Sequence, residues 1–254
     1  MSLQLNKWKS IVMPTVGFLI VFSIWFVFFI SERYSQLLIP SPIHVAETFM
    51  ALLVDATFMS HVGATFTRIL VAFLISAFLG ILIGLIVGYY NLIDSMTYTL
   101  IDFLRSMPGI VLFPLFILFF GVGDVSRLLV AIFVATPIII INTKYGVINS
   151  NKLRKNMRTL YKLKAITLFY RVIVPEASPY IFTGLRVGIS LVIILVIVTE
   201  MMLGTSRGLG HLLIHSQHHF DTPLMYAIIL MLGCIGFLLN SIFNVIEQKI
   251  FHWR

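Results

Sequence analysis

Charge is what this sequence has least of. Only 11% of its 254 residues are Asp, Glu, Lys or Arg, and ten of them are acidic. Soluble domains carry charge on about a quarter of their residues, so a chain with a mean hydropathy of +1.01 is not built for water. Cysteine is nearly absent too. The single Cys234 supports no disulfide framework. No Gly-Lys pair occurs, which excludes a Walker A phosphate loop, so the chain is not itself a P-loop ATPase. Between residues 144 and 171 there is no acid at all.

What is present is apolar length. Runs without a charged residue cover 10–31, 69–93, 106–123, 128–143 and 222–246, long enough to approach or span a bilayer. A sixth run, 177–203, is interrupted only by Arg186 and Glu200. The expected fold is all-α: a polytopic membrane protein, one transmembrane domain over 1–254, with helices near 10–31, 64–90, 95–120, 126–143, 178–203 and 222–247. The first run follows Lys7 and Lys9 like a signal peptide. It is too long for one and lacks an Ala-x-Ala site, so a retained first helix is expected.

The net charge of +8 is concentrated in one place. Eight of the 18 basic residues (Lys144, Lys152, Arg154, Lys155, Arg158, Lys162, Lys164 and Arg171) lie within 144–171. No Cys/His finger or Gly-rich RNA motif accompanies them, so nucleic acid is not the expected partner. The positive-inside rule places this loop, 144–177, in the cytoplasm together with both termini. The segments 32–60, 121–127 and 204–221 then face outward.

Small and polar residues mark the faces that pack on protein. Ser76, Gly80, Gly84 and Gly88 recur every four residues and permit close backbone approach. Pro108, Pro114 and Pro137 each require a kink beside protein or water. Gly236, Asn240 and Asn244 share one face of the last helix. Charge at membrane depth costs at least about 2.5 kcal/mol unless partnered. Asp102 and Arg105 are spaced to pair on one helix face. Arg186 and Glu200, 14 residues apart, cannot pair within one helix. Arg105, Arg186, Glu200 and Asn240 are therefore either translocation-path residues or, for the charges, structural ion pairs. His211, His215, His218 and His219 have a spacing that on a helix can gather a transition metal, but no carboxylate lies among them. An interface loop is the expected reading, with no metal.

Several motifs appear in order: Leu38-Ile-Pro-Ser-Pro42, His61 to Arg68, the glycine helix, Arg105-Ser-Met-Pro108, and Phe113-Pro114 through Phe120-Gly121-Val-Gly123-Asp124. Leu168-Phe-Tyr-Arg-Val-Ile-Val-Pro175, Gly184-Leu-Arg186, Thr199-Glu200 and Gly208-Leu-Gly210 follow. The set resembles the membrane-spanning permease subunits of bacterial ABC importers, in the nitrate, sulfonate, taurine and bicarbonate branch.

The resemblance implies a type I importer fold in the bacterial cytoplasmic (inner) membrane, with a cytoplasmic coupling helix between helices 4 and 5. Counted back from Pro175, the family's coupling motif falls on Asn156, Met157, Arg158 and Lys162, with Val172 and Val174 in its hydrophobic tail. Its Gly and acid are replaced here. Leu160 and Leu163 supply the helical apolar face. The implied partners are two ATPase subunits, which hold ATP and magnesium, an extracytoplasmic solute-binding protein, and a second permease subunit forming a homodimer or a heterodimer. The chain itself performs no chemistry and carries no cofactor. The implied substrate is a small anion or zwitterion such as nitrate, bicarbonate, taurine or an alkylsulfonate, with a neutral vitamin-precursor heterocycle as the alternative. A secondary ion-coupled transporter is the alternative function.

Overall fold

The computed structural model describes residues 2–31, 33, 35, 37–149, 164–202 and 206–250. All regular structure among them is helical. The elements are α1 (Ser2–Ile30), α2 (Pro42–Leu52), α3 (Ala56–Tyr89), α4 (Asn91–Ser106), a 3-10 turn (Gly109–Leu112), α5 (Phe113–Phe120) and α6 (Asp124–Asn149). They continue with α7 (Ile166–Met202), α8 (Leu209–His218) and α9 (Thr222–Ile250). Among the described residues four helices, α3, α6, α7 and α9, are long and apolar enough to cross a membrane.

The expected third helix, 95–120, is not one rod. It breaks into α4 and the Gly109–Phe120 piece, bent by 88°. The cause is local: Pro108 has no N–H to continue the ladder, and its ring pushes Met107 into extended backbone at φ −75°, ψ 130°. Counted as one broken span, the pair raises the candidate spans among the described residues to five. In α1 the apolar stretch found among residues with described side chains is Thr15–Ile30.

Helix also replaces loop on both sides of the basic segment. Residues 144–149 finish α6, and 165–177 are helical and run directly into α7. A π-helical turn, Phe169–Ile173, lies in that lead-in, ahead of Pro175.

Two compact units can be distinguished: Met1–Met59 with Leu212–Met231, and Ser60–His211 with Leu232–Arg254. In the first, Ser41 caps α2 by accepting the His44 N–H at 3.1 Å, and Pro42 occupies the first helical position. Trp25 of α1 stacks on Tyr226 of α9 at 5.5 Å. The apolar side chains of α1 from Met13 to Ile30 are mostly exposed, as suits a helix solvated by lipid.

The second unit is organised around α6. Gly80, Gly84 and Gly88 of α3 face Ile139, Thr143 and Val147 of α6 so closely that an added Cβ would stand 2.6–2.7 Å from each side chain. These small residues replace hydrophobic drive, which is absent between helices in lipid, with close van der Waals contact. Ser76 is fully buried and returns its hydroxyl to the Ala72 carbonyl at 2.7 Å. On its other side α6 packs on α7, where Gly188 receives the Cδ1 of the same Ile139. Val147, Leu168, Val172, Ile173, Ala177 and Ile181 form a buried cluster at the base of α7.

Candidate functional site

Among the described residues of the second unit, a cluster of charged side chains, buried but for Asp124, lies where α3, the start of α6 and the end of α7 meet. Helical spacing puts His61, Thr65 and Arg68 on one face of α3. Asp124 and Arg127, three residues apart, open α6, and Glu200 lies near the end of α7, with exposures of 2% for Arg127 and 1% for Glu200.

The Glu200 carboxylate accepts from Thr65 Oγ1 at 2.9 and 3.0 Å, from Arg68 Nη1 at 2.6 Å and from the Gly210 N–H at 2.9 Å. Arg68 donates through Nε to Asp124 Oδ1 at 2.9 Å, and Arg127 Nη1 reaches the same oxygen at 3.0 Å. Two guanidiniums thus face two carboxylates, which gives the cluster no net charge. Breaking the Arg68–Glu200 pair would leave an uncompensated buried ion, whereas Asp124 is 58% exposed.

The cluster also holds the backbone that follows α7. Arg68 Nη1 donates to the Arg207 carbonyl at 2.8 Å, and Thr65 Oγ1 accepts the Leu209 N–H at 2.8 Å. His61 Nδ1 accepts the Gly208 N–H at 3.1 Å. Gly208 has φ +149°, and a Cβ there would stand 2.6 Å from the Glu200 carboxyl carbon. Only glycine fits both the dihedral and the space. Together these bonds form a latch that fastens residues 207–210 to α3 and α7.

The residues singled out from sequence are not gathered into one site. Glu200 is in the latch. Arg105 pairs with Asp102 along α4 at 2.7 Å, both side chains half exposed, and borders a polar cleft of about 140 Å³ with Tyr98, Lys144 and Tyr145. Lys144 pairs there with Asp94 and stands 5.0 Å from the Tyr98 ring centre. Arg186 pairs with Glu247 across α7 and α9. Asn240 donates to the Gly236 carbonyl of its own helix at 3.1 Å. Asn156, Met157, Arg158, Leu160, Lys162 and Leu163 lie outside the described residues. Of the motif's tail, Val172 is buried, Val174 half-buried and Pro175 exposed.

The histidines do not converge. His215 and His219 stack with ring centres 4.2 Å apart, and among the described residues no three His, Cys, Asp or Glu side chains group around a metal position. Gly204-Thr-Ser206-Arg-Gly208 spells the Gly-x-Ser-x-Gly of a hydrolase nucleophile elbow. That elbow needs a strand before it, whereas α7 precedes it here.

Sequence reasoning gave no role to Thr65, Arg68, Asp124 or Arg127. The available signal was position: Arg68 stands one residue before the apolar run 69–93, and Asp124 one residue after 106–123. A search for charge inside such runs passes over the charges that end them.

A polytopic helical membrane protein with glycine-packed helices and a charged latch between helix ends is thus defined. The family described as "binding-protein-dependent transport system inner membrane component" matches residues 80–252, and the chain belongs to it. The formylaminopyrimidine transport permease protein ThiX of Halalkalibacterium halodurans is 30% identical over 243 residues, covering 95% of both chains. The taurine transport system permease protein TauC of Escherichia coli K12 is 25% identical over 241 residues, 92% of this chain and 87% of that one. Among solved structures, an inward-facing form of the MetNI methionine ABC transporter superimposes with a TM-score of 0.60. It is 18% identical and covers 78% of this chain and 99% of that chain, which shows the shared fold.

Proposed function

We propose that two copies of this chain form the membrane path of an ATP-driven importer for a small anion or zwitterion, as the taurine relative's name suggests. Two ATPase subunits, holding ATP and magnesium, dock on the basic segment around Asn156, Met157, Arg158, Leu160, Lys162 and Leu163. A solute-binding protein delivers substrate to the opposite face. Both termini lie in the cytoplasm. Arg105, Arg186 and Asn240 border the path, while Glu200 serves the latch.

The observation that carries this reading is the continuity of α7. It runs 37 residues from Ile166 to Met202, roughly 55 Å at 1.5 Å per residue, without a gap at Pro175 or Pro179. Val172, Val174 and Pro175 stand near its base and Glu200 near its far end. A displacement of the basic segment is thereby passed along one rod to the latch.

The test is reconstitution with the ATPase subunits and binding protein. Uptake of labelled taurine or an alkylsulfonate is expected to require both ATP and the binding protein. Uptake driven by an ion gradient without ATP would identify a secondary transporter instead. Uptake of formylaminopyrimidine alone would move the substrate to the class named for the 30% identical relative. Leu160→Asp or Arg158→Glu is expected to abolish co-purification of the ATPase subunits.

A further inference from the structure

The polar cleft between α4 and α6 is lined by charges of both signs. α4 contributes Tyr98, Ile101, Asp102 and Arg105, and α6 contributes Ile141, Lys144 and Tyr145. Positions 94, 98, 102 and 105 follow one another at i, i+4, i+8 and i+11 on one face of α4, so Asp94 extends the same stripe by a turn. The volume of about 140 Å³ is well below the roughly 300 Å³ at which pockets for drug-sized ligands begin. Only a small solute fits.

The charges are paired without being used up. Arg105 Nη2 donates to Asp102 Oδ1 at 2.7 Å, and both side chains are half exposed. That bond takes one of the five N–H donors of a guanidinium and one of the two carboxylate oxygens. Lys144, 11% exposed, pairs with Asp94, and its ammonium stands 5.0 Å from the Tyr98 ring centre. Two cations thus answer two carboxylates, and the cleft is neutral. The latch shares this balance, but there Glu200 is buried beneath its donors, whereas the Asp102–Arg105 pair is open.

Neutrality decides which solute the cleft suits. An anion would share Arg105 with Asp102 and face a second carboxylate at Asp94, and these like charges oppose it. A lone cation would meet Arg105 and Lys144. A zwitterion avoids both penalties, because its acid group takes donors that Arg105 has left while its ammonium takes the free oxygen of Asp102. The exposed Tyr145 ring on the cleft wall offers that ammonium an aromatic face as well. We infer that the α4–α6 cleft is a binding station for a small zwitterion, with Arg105 on its acid group and Asp102 on its ammonium. A phosphatidylethanolamine headgroup carries the same two charges, but the lining offers only Ile101 and Ile141 to its two acyl chains. With the basic segment in the cytoplasm, the station lies at the inner end of α6, where a solute leaves the membrane. It narrows the substrate class of the proposed importer and rests on that reading for its purpose, while the binding stands on the cleft alone.

Binding of labelled taurine to the complete transporter, held without nucleotide in phosphatidylglycerol nanodiscs, tests it. Isethionate keeps the sulfonate and has a hydroxyl in place of the ammonium; ethanolamine keeps the ammonium and has a hydroxyl in place of the sulfonate. Taurine is expected to bind about tenfold or more tightly than either, as hydrogen bonds to charged groups dictate. Arg105→Gln is expected to reduce taurine binding to the ethanolamine level, and the milder Arg105→Lys, which loses the planar fork, serves if the Gln variant does not assemble. Asp102→Asn leaves a cation unanswered and is expected to reverse the order, so that isethionate binds better than taurine. A merely structural ion pair would not produce that reversal. Equal binding of taurine and isethionate by the wild type, or a preference unmoved by both substitutions, would overturn the inference. So would loss of taurine binding when phosphatidylethanolamine replaces part of the lipid, which would assign the cleft to a headgroup. Zwitterion binding as described, together with uptake that needs no ATP, would overturn the importer reading alone. ATP-dependent uptake with no preference for taurine in the binding assay would overturn the inference alone.

Discussion

Glu200 is a buried carboxylate in a membrane helix, and its three donors, Thr65, Arg68 and the Gly210 N–H, decide whether it is tolerated. Removing one partner of a buried pair costs about 3–5 kcal/mol, because the other ion stays behind. Glu200→Gln is therefore expected to lower the thermal unfolding midpoint of the detergent-purified transporter strongly. The double variant Glu200→Gln with Arg68→Met is expected to lose less than the sum of the two single losses, because both charges leave together. Additive losses would show that the two side chains act separately. Gly208→Ala is expected to destabilise as well, through a φ of +149° and contact with the Glu200 carboxyl group. At this scale the sequence was half legible. The intramembrane Glu200 attracted notice by its cost, and Asp102 with Arg105 pair as their spacing suggests. The side-chain partners of Glu200 come from positions 132 and 135 residues away, which no local spacing encodes.

Between elements, the glycines divide into those that carry a seam and those that do not. At Gly84 an added Cβ would stand 2.6 Å from Thr143 Cβ and 2.8 Å from the Ile140 carbonyl, whereas at Gly236 nothing lies within 4 Å. Gly84→Val is expected to cost about 1–3 kcal/mol through overpacking. Gly236→Ala is expected to be neutral or to gain up to about 1 kcal/mol in helix propensity. Thermal unfolding of the two variants side by side separates these cases, and equal midpoints would remove the α3–α6 seam from the account. The every-fourth-residue pattern made this seam visible before any coordinates. The broken span was only partly legible: Pro108 demanded a bend, but the 88° angle depends on the backbone entering extended conformation at Met107. The helix through 165–177 was not legible, because Pro175 and the basic residues read as loop. Pro175 and Pro179 stand ten and fourteen residues into α7, where each lacks an N–H for the ladder, and the π turn Phe169–Ile173 lies just ahead of Pro175.

For the molecule as a whole, the rod formed by α7 links the basic segment to the latch. Ile194, 55% exposed, can be replaced without opening the core. Ile194→Pro, which removes a ladder bond, is expected to leave basal ATP hydrolysis intact and abolish its stimulation by loaded binding protein, with Ile194→Gly intermediate. Full stimulation in the Pro variant would end the rod account. The lone Cys234 gives a simple background for topology. In a Cys234→Ser chain, a cysteine at Arg158 is expected to react with an impermeant thiol reagent only from the cytoplasmic side, and one at Phe220 only from outside. Ile139 has the widest reach: its side chain faces Gly80 on α3 and Gly188 on α7. A lineage that shrinks residue 139 releases two glycines at once, and one that enlarges either glycine must first shrink residue 139. Substitutions at 80, 139 and 188 should therefore travel together through the family's descent, so that the history of this seam is written as triplets.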